Sequence, residues 1–251
     1  MEHFALAEQV YGAGLIFARV GAMVMLMPGV GETFVPPRIR LAFAFVLTLV
    51  IWPVVRTSLP LPPLNIEDLA GQMIGEILIG LAFGAILRFF LGTLIVTGEV
   101  ISLQTTLAFS QTTNPLQAQP AATIGTFLTI IGLTLVFATD LHHLFIGAMV
   151  KTFTLFPAGK PPPVGDMASL AIRMTGETFA LGVQLAAPVL VFALVFNIAA
   201  GLIGRVMPQF QIFFVATPLT LLFGLSIFAM SLGAVGLVWV DRFRAFAVSL
   251  T

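Results

Sequence analysis

Residues 69–109 read LAGQMIGEILIGLAFGAILRFFLGTLIVTGEVISLQTTLAF, an apolar run interrupted only by Glu76, Arg88, Glu99 and a few small polar side chains. A helix needs about 20 apolar residues to cross a hydrocarbon core about 30 Å thick. As one helix this run would be about 60 Å long at about 1.5 Å per residue, so it predicts either a long bent helix or two pieces joined near Thr97-Gly98. The rest of the chain has the same character. Of its 251 residues 59% are hydrophobic and only 9% charged, and the mean hydropathy is +1.08. A soluble domain is nearer half apolar and a quarter charged. Eleven basic residues against eleven acidic ones leave no net charge, so no electrostatic signal points to nucleic acid. With no cysteine, disulfide scaffolds, thiolate metal sites and cysteine nucleophiles are excluded. The expected class is an all-α membrane protein.

Working outward, apolar runs cover Val10–Pro28, Ile39–Val55, Thr123–Val150, Phe179–Gly204 and Phe210–Val240. With the run first quoted they predict about six long hydrophobic helices. The start of the chain carries Glu2 where a secretory leader carries Lys or Arg, so the first segment is expected to be retained. Gly71, Gly75, Gly80 and Gly84 make two small-xxx-small pairs that allow a neighbouring backbone to come close. Pro188 and Pro218 lie inside the last two runs and should bend their helices, and Pro208 should bend the chain between them, in a polar corner with Arg205 and Gln209. Residues 167–251 therefore read as a bent helical hairpin. It is preceded by a stiff, proline-rich link at 157–166, with Pro157, Pro161, Pro162 and Pro163. Pro28–Arg38 and Pro53–Glu67 read as loops. No repeat of 20 to 50 residues is visible. The arginine and lysine bias across six spans weakly favours both termini in the cytoplasm.

Charges inside apolar runs are Arg19, Glu76, Arg88, Glu99 and Asp140, with Glu177 near an edge. Each costs about 2.5 to 3.5 kcal/mol if left facing lipid at mid-membrane. None has an opposite charge four residues away, so their partners must lie on other helices, on other subunits or in water. Asp140-Leu141-His142-His143 raises a metal-site question. Asp140 and His143 share a helical face, whereas His142 should point about 100° away, and no metal is expected. The stretch Leu103–Thr123, LQTTLAFSQTTNPLQAQPAAT, is rich in amides and hydroxyls and has no charge. Polar and neutral is what a loop lining a cavity or closing a pore can be; a plain connecting loop is the alternative. No nucleophile elbow, zinc-helix pair or phosphate loop occurs, so no enzyme chemistry is expected.

The chain carries Phe17-Ala18-Arg19-Val20 before Met27-Pro28, Pro36-Pro37-Arg38-Ile39-Arg40, Gly75-Glu76-Ile77-Leu78, Gly98-Glu99-Val100, Leu107-Ala108-Phe109-Ser110-Gln111, Val195-Phe196-Asn197, Arg205-Val206-Met207-Pro208-Gln209-Phe210 and Thr217-Pro218-Leu219. In this order and spacing they resemble the FliR family of flagellar type III export and its injectisome relatives. Where many members read Asp-Gly-His this chain has Asp140-Leu141-His142, and Asn114-Pro115 replaces a common Asp-Pro. The resemblance implies a FliP-like part at 1–156 and a FliQ-like helical hairpin at 167–251. It implies assembly with FliP and FliQ type subunits into a closed pore for unfolded flagellar proteins, with an FlhB type switch protein, in the bacterial inner membrane at the flagellar basal body. The equivalent injectisome subunit is the alternative. The central loop (103–123) would be the plug, with Phe109, Ser110, Gln111, Thr112, Thr113, Asn114, Pro115 and Gln117 making the seal. Arg19, Glu76, Arg88, Glu99 and Asp140 would pair between helices or subunits. No cofactor is implied. The rival from another class, an ion-coupled secondary transporter using Glu76, Glu99 and Asp140, usually carries an internal repeat, and none is present.

Overall fold

The computed structural model describes the backbone of residues 2–107, 123–207 and 212–250, and these residues contain helices and no strand. In chain order the helices are α1 (Glu2–Leu26), α2 (Pro37–Val55), α3 (Ile66–Gln104), α4 (Thr123–Ala138), α5 (Leu141–Leu155), α6 (Val164–Leu185), α7 (Ala187–Val206) and α8 (Ile212–Leu250). A single 3-10 turn, Arg56–Ser58, follows α2. Five helices are long and apolar enough to cross a membrane, and α4 with α5 forms a sixth candidate span broken by a 77° bend. The chain is an all-α membrane protein.

Three segments bear on the sequence expectation. First, of the two alternatives for 69–109 the single long helix is the one present: α3 is one continuous helix of 39 residues with no joint at Thr97-Gly98. Gly98 lies inside it because the backbone of α4 packs there: a Cβ on Gly98 would come within 2.2 Å of the Gly125 nitrogen. That glycine serves close approach, not helix termination. Second, Thr123–Val150 is two helices. Asp140 adopts φ 57°, the left-handed conformation that aspartate tolerates better than most residues, and this ends α4 and turns the chain into α5. Third, Met167–Leu250 contains three helices, α6 to α8. Pro188 sits in the first turn of α7, where its missing N–H costs nothing, and the break falls at Ala186. Pro218 lies inside α8 without ending it, and Pro53 likewise falls within the last turn of α2. Pro208 is outside the described residues.

The chain forms two compact units. The first takes the described residues of Met1–Phe90, Phe137–Thr175 and Arg244–Thr251; the second takes those of Leu91–Val136 and Gly176–Phe243. In the first unit, α1 buries Leu15, Ile16, Arg19, Val20, Met23 and Val24, a stripe at helical period. Trp52 of α2 lies against Gly12 and Phe45 packs edge-on to Phe17, so α2 runs antiparallel to α1. The first half of α3 runs parallel to α1. A Cβ on Gly80 would lie 2.3 Å from the Arg19 carbonyl oxygen, and one on Gly84 would lie 2.9 Å from the Leu26 Cβ. By contrast, Gly71 has nothing within 4 Å of its Cβ position. Close packing thus belongs to one of the two glycine pairs.

In the second unit, Trp239 of α8 is fully buried and donates its indole N–H to the Thr93 hydroxyl at 2.8 Å. The Thr97 hydroxyl donates to the Thr93 carbonyl at 2.7 Å and also meets the Gly182 carbonyl of α6 at 3.1 Å. These bonds join α3, α6 and α8. Here α4 contributes Leu128 and Gly132, packed beside Leu94 and Trp239.

Candidate functional site

Glycine at 80 and 84 lets α3 lie against α1, and the resulting register puts Glu76, one turn before Gly80, opposite Arg19. Both side chains are out of solvent, at 0% and 1% exposure. The Arg19 Nε donates to Glu76 Oε2 at 2.6 Å. Its Nη1 donates to the Thr152 carbonyl at 2.9 Å, and its guanidinium carbon lies 4.2 Å from the centre of the Phe153 ring. The same carbonyl accepts the Phe156 N–H at 2.9 Å, so both of its lone pairs are used at the end of α5. A cation there also complements the negative end of the helix. The second carboxylate oxygen, Glu76 Oε1, accepts the Gly159 N–H at 2.9 Å. Gly159 holds φ 77°, and a Cβ on it would lie 2.7 Å from Pro60, so glycine is required on two counts. One ion pair therefore ties α1, α3 and α5 to the irregular segment Phe156–Pro163. A second polar tie lies toward the start of α1, where the Tyr11 hydroxyl donates to Gln72 Oε1.

Two charges removed from water repay their desolvation only when the geometry is good and the remaining donors and acceptors are used. Here both carboxylate oxygens have partners, and only Arg19 Nη2 lacks one among the described residues. Both side chains are closed off from solvent. The chemistry of the pair is that of a packing lock.

The profile of the bacterial export proteins, family 1, matches residues 10–246. The chain is 54% identical to flagellar biosynthetic protein FliR of Caulobacter vibrioides over 97% of both sequences. The belonging is plain. The chain is a member of the FliR family of bacterial export proteins. It is also similar to flagellar biosynthetic protein FliR of Escherichia coli, at 31% identity over 84% of this chain and 80% of that one. With the protein of the same name from Aquifex aeolicus the identity is 27% over 92% and 89%.

The other charges read from the sequence are placed differently from Arg19 and Glu76. Arg88 is 44% exposed and reaches Glu32 at 3.8 Å. Asp140 is 76% exposed and stands 3.7 Å from His143 Nδ1. Glu99 is exposed on α3 and makes no ion pair with the described residues. Of the residues assigned to the plug, Phe109, Ser110, Gln111, Thr112, Thr113, Asn114, Pro115 and Gln117 all lie outside the described residues, as does Pro208 among the bends. Just before them, Thr106 takes φ 59° at the end of the α3 segment. It lines a recess of about 420 Å³ between α7 and α8 with Asn197, Gly201, Gly204, Thr217 and Thr220. Asn197 and Thr217 belong to stretches that carry the family resemblance in the sequence, but nothing in their spacing along the chain announces a shared recess. Gly159 was the other omission. Its signal was available, as the glycine in a proline-rich link, but its tie to Glu76 needs the fold.

Proposed function

We propose that this chain is a non-enzymatic subunit of the flagellar type III export gate, forming with FliP and FliQ type subunits the closed pore through which unfolded flagellar proteins pass. In this reading it sits in the bacterial inner membrane at the flagellar basal body, where an FlhB type protein joins it. The FliP-like part is 1–156, the FliQ-like part 167–251, and 157–166 is the link between them. The observation that carries the reading is the 54% identity to flagellar biosynthetic protein FliR across nearly the whole of both chains.

Burial supports it. Within the single chain, 11% of the α7 span and 17% of the α8 span are buried, against 56% for α3. Val191, Leu194, Val195, Ile198 and Leu202 on α7 are all more than half exposed. Exposed apolar area of this extent requires a cover of lipid or of other helices. Glu99, exposed on a membrane-length helix, favours protein or water over lipid on its side. The division of labour follows from the chemistry. The Arg19–Glu76 pair locks the helices and leaves no free charge there. The uncharged central loop 103–123 closes the pore with amides and hydroxyls that exchange hydrogen bonds with water, without fixed charges that would hold an ion.

The test is ion leakage through the assembled complex in liposomes. Deleting Gln111–Gln119 should raise leakage severalfold while the subunits still co-assemble. Unchanged leakage in an intact complex would remove the plug assignment. A chain that supports export with no partner subunits would remove the gate assignment.

A further inference from the structure

The bend between α4 and α5 holds the one group of three metal-donor side chains among the described residues: Asp140, His142 and His143, with one donor atom from each lying within 4.8 Å of the others. We propose that these residues bind a divalent transition-metal ion of the zinc type, held by two imidazoles and one carboxylate with at least one position left for water or a partner's oxygen. Imidazole with carboxylate suits Zn²⁺, Co²⁺, Ni²⁺ and Cu²⁺, and not the harder Mg²⁺ or Ca²⁺.

Adjacent histidines on a helix point about 100° apart, which argues against a site on one helical face. The two side chains nonetheless converge, with ring centroids 4.1 Å apart, and Asp140 joins them from off the helix. At φ 57° Asp140 occupies the N-cap position of α5 but makes no capping hydrogen bond, so its carboxylate is not committed to the helix amides. Its Oδ1 lies 3.7 Å from His143 Nδ1, and the rings of His142 and His143 are 4.1 Å apart. Metal bonds of about 2.0–2.2 Å in a tetrahedron set donors about 3.3–3.6 Å apart. The group closes to that spacing by side-chain rotation, which is open to Asp140 and His143 at 76% and 68% exposure. A second observation is independent of the spacing. His142 Nδ1 is buried with no hydrogen-bond partner, one of only two such side-chain atoms among the described residues. Buried polar atoms are nearly always satisfied, and an orphan of this kind marks a place for an ion or water. Ligation through Nδ1 supplies the missing partner. A bound ion would join the turn residue to the first turn of α5.

The composition makes the test clean, because the chain has no cysteine and its only other histidine is His3. The full-length chain, purified in detergent with a tag free of histidine and stripped with chelator, is titrated calorimetrically with Zn²⁺. Cu²⁺ is then bound to the same preparation and the coordinating nitrogens are counted by electron paramagnetic resonance. The expected results are one Zn²⁺ per chain and two imidazole nitrogens on Cu²⁺. Asp140→Asn and His143→Ala should each weaken Zn²⁺ binding at least tenfold, and His3→Ala should leave it unchanged. Helix content by circular dichroism confirms that each variant is folded, and the nitrogen count on the unaltered chain needs no variant at all. No saturable Zn²⁺ binding, a single imidazole nitrogen, or affinity that survives His143→Ala overturns the proposal.

Discussion

Glu76→Ala should be the most damaging single substitution in the first unit. The carboxylate it removes accepts Arg19 Nε at 2.6 Å and the Gly159 N–H at 2.9 Å. What remains is a guanidinium with no exposure to solvent and no counter-charge. Breaking a buried pair from one side costs about 3–5 kcal/mol. The stranded Gly159 N–H adds about 1–3 kcal/mol when no water reaches it. Both effects act at one site and do not simply sum, so the expected loss is about 4 kcal/mol. At about 2–4 °C per kcal/mol for a chain of this size, the melting temperature in detergent should fall by about 8–16 °C, read by far-ultraviolet circular dichroism. The control is Arg19→Met with Glu76→Leu, which replaces both charges by apolar bulk. It should recover at least about 2 kcal/mol relative to Glu76→Ala, because no unpaired charge is left behind. If each single substitution costs under about 1 kcal/mol, or if the double loses the sum of the singles, the pair is not the lock described above.

Three further outcomes follow from the packing. Gly98→Ala forces a Cβ to within 2.2 Å of the Gly125 nitrogen and should lower stability by about 1–3 kcal/mol. Gly71→Ala, with open space around it, should raise stability by about 0.5–1 kcal/mol in the same melting assay. Thr93→Val removes the acceptor of the Trp239 indole N–H and should cost about 1–3 kcal/mol, with a shift in the emission of that buried tryptophan.

The sequence made the helices legible because lipid-length apolar runs leave few alternatives. It also made clear that Arg19 and Glu76 needed partners beyond their own helices. It could not say that they were each other's partners. That choice depends on the register of α1 against α3, which Gly80 and Gly84 set through backbone contacts with Arg19, Met23 and Leu26. The α4–α5 break escaped notice for a related reason. Neither Gly nor Pro marks it; the chain turns on a left-handed aspartate, and the long apolar run conceals the turn. Pro188 was visible as a helix breaker, and the one-residue break at Ala186 falls just ahead of it, which puts Pro188 in the first turn of α7. Gly98 marked the joint in one of two readings of the run and is a contact surface for Gly125. In each case the residue was noticed and its tertiary neighbour decided the role.

The gate reading is tested most directly by native mass spectrometry of this chain, expressed together with FliP and FliQ type subunits and purified through a tag on this chain alone. The prediction is a single hetero-oligomer of fixed stoichiometry in which every copy of this polypeptide is bound to siblings, so that α7 and α8 gain their missing cover. A stable solitary protomer, with no sibling retained under mild detergent, contradicts it.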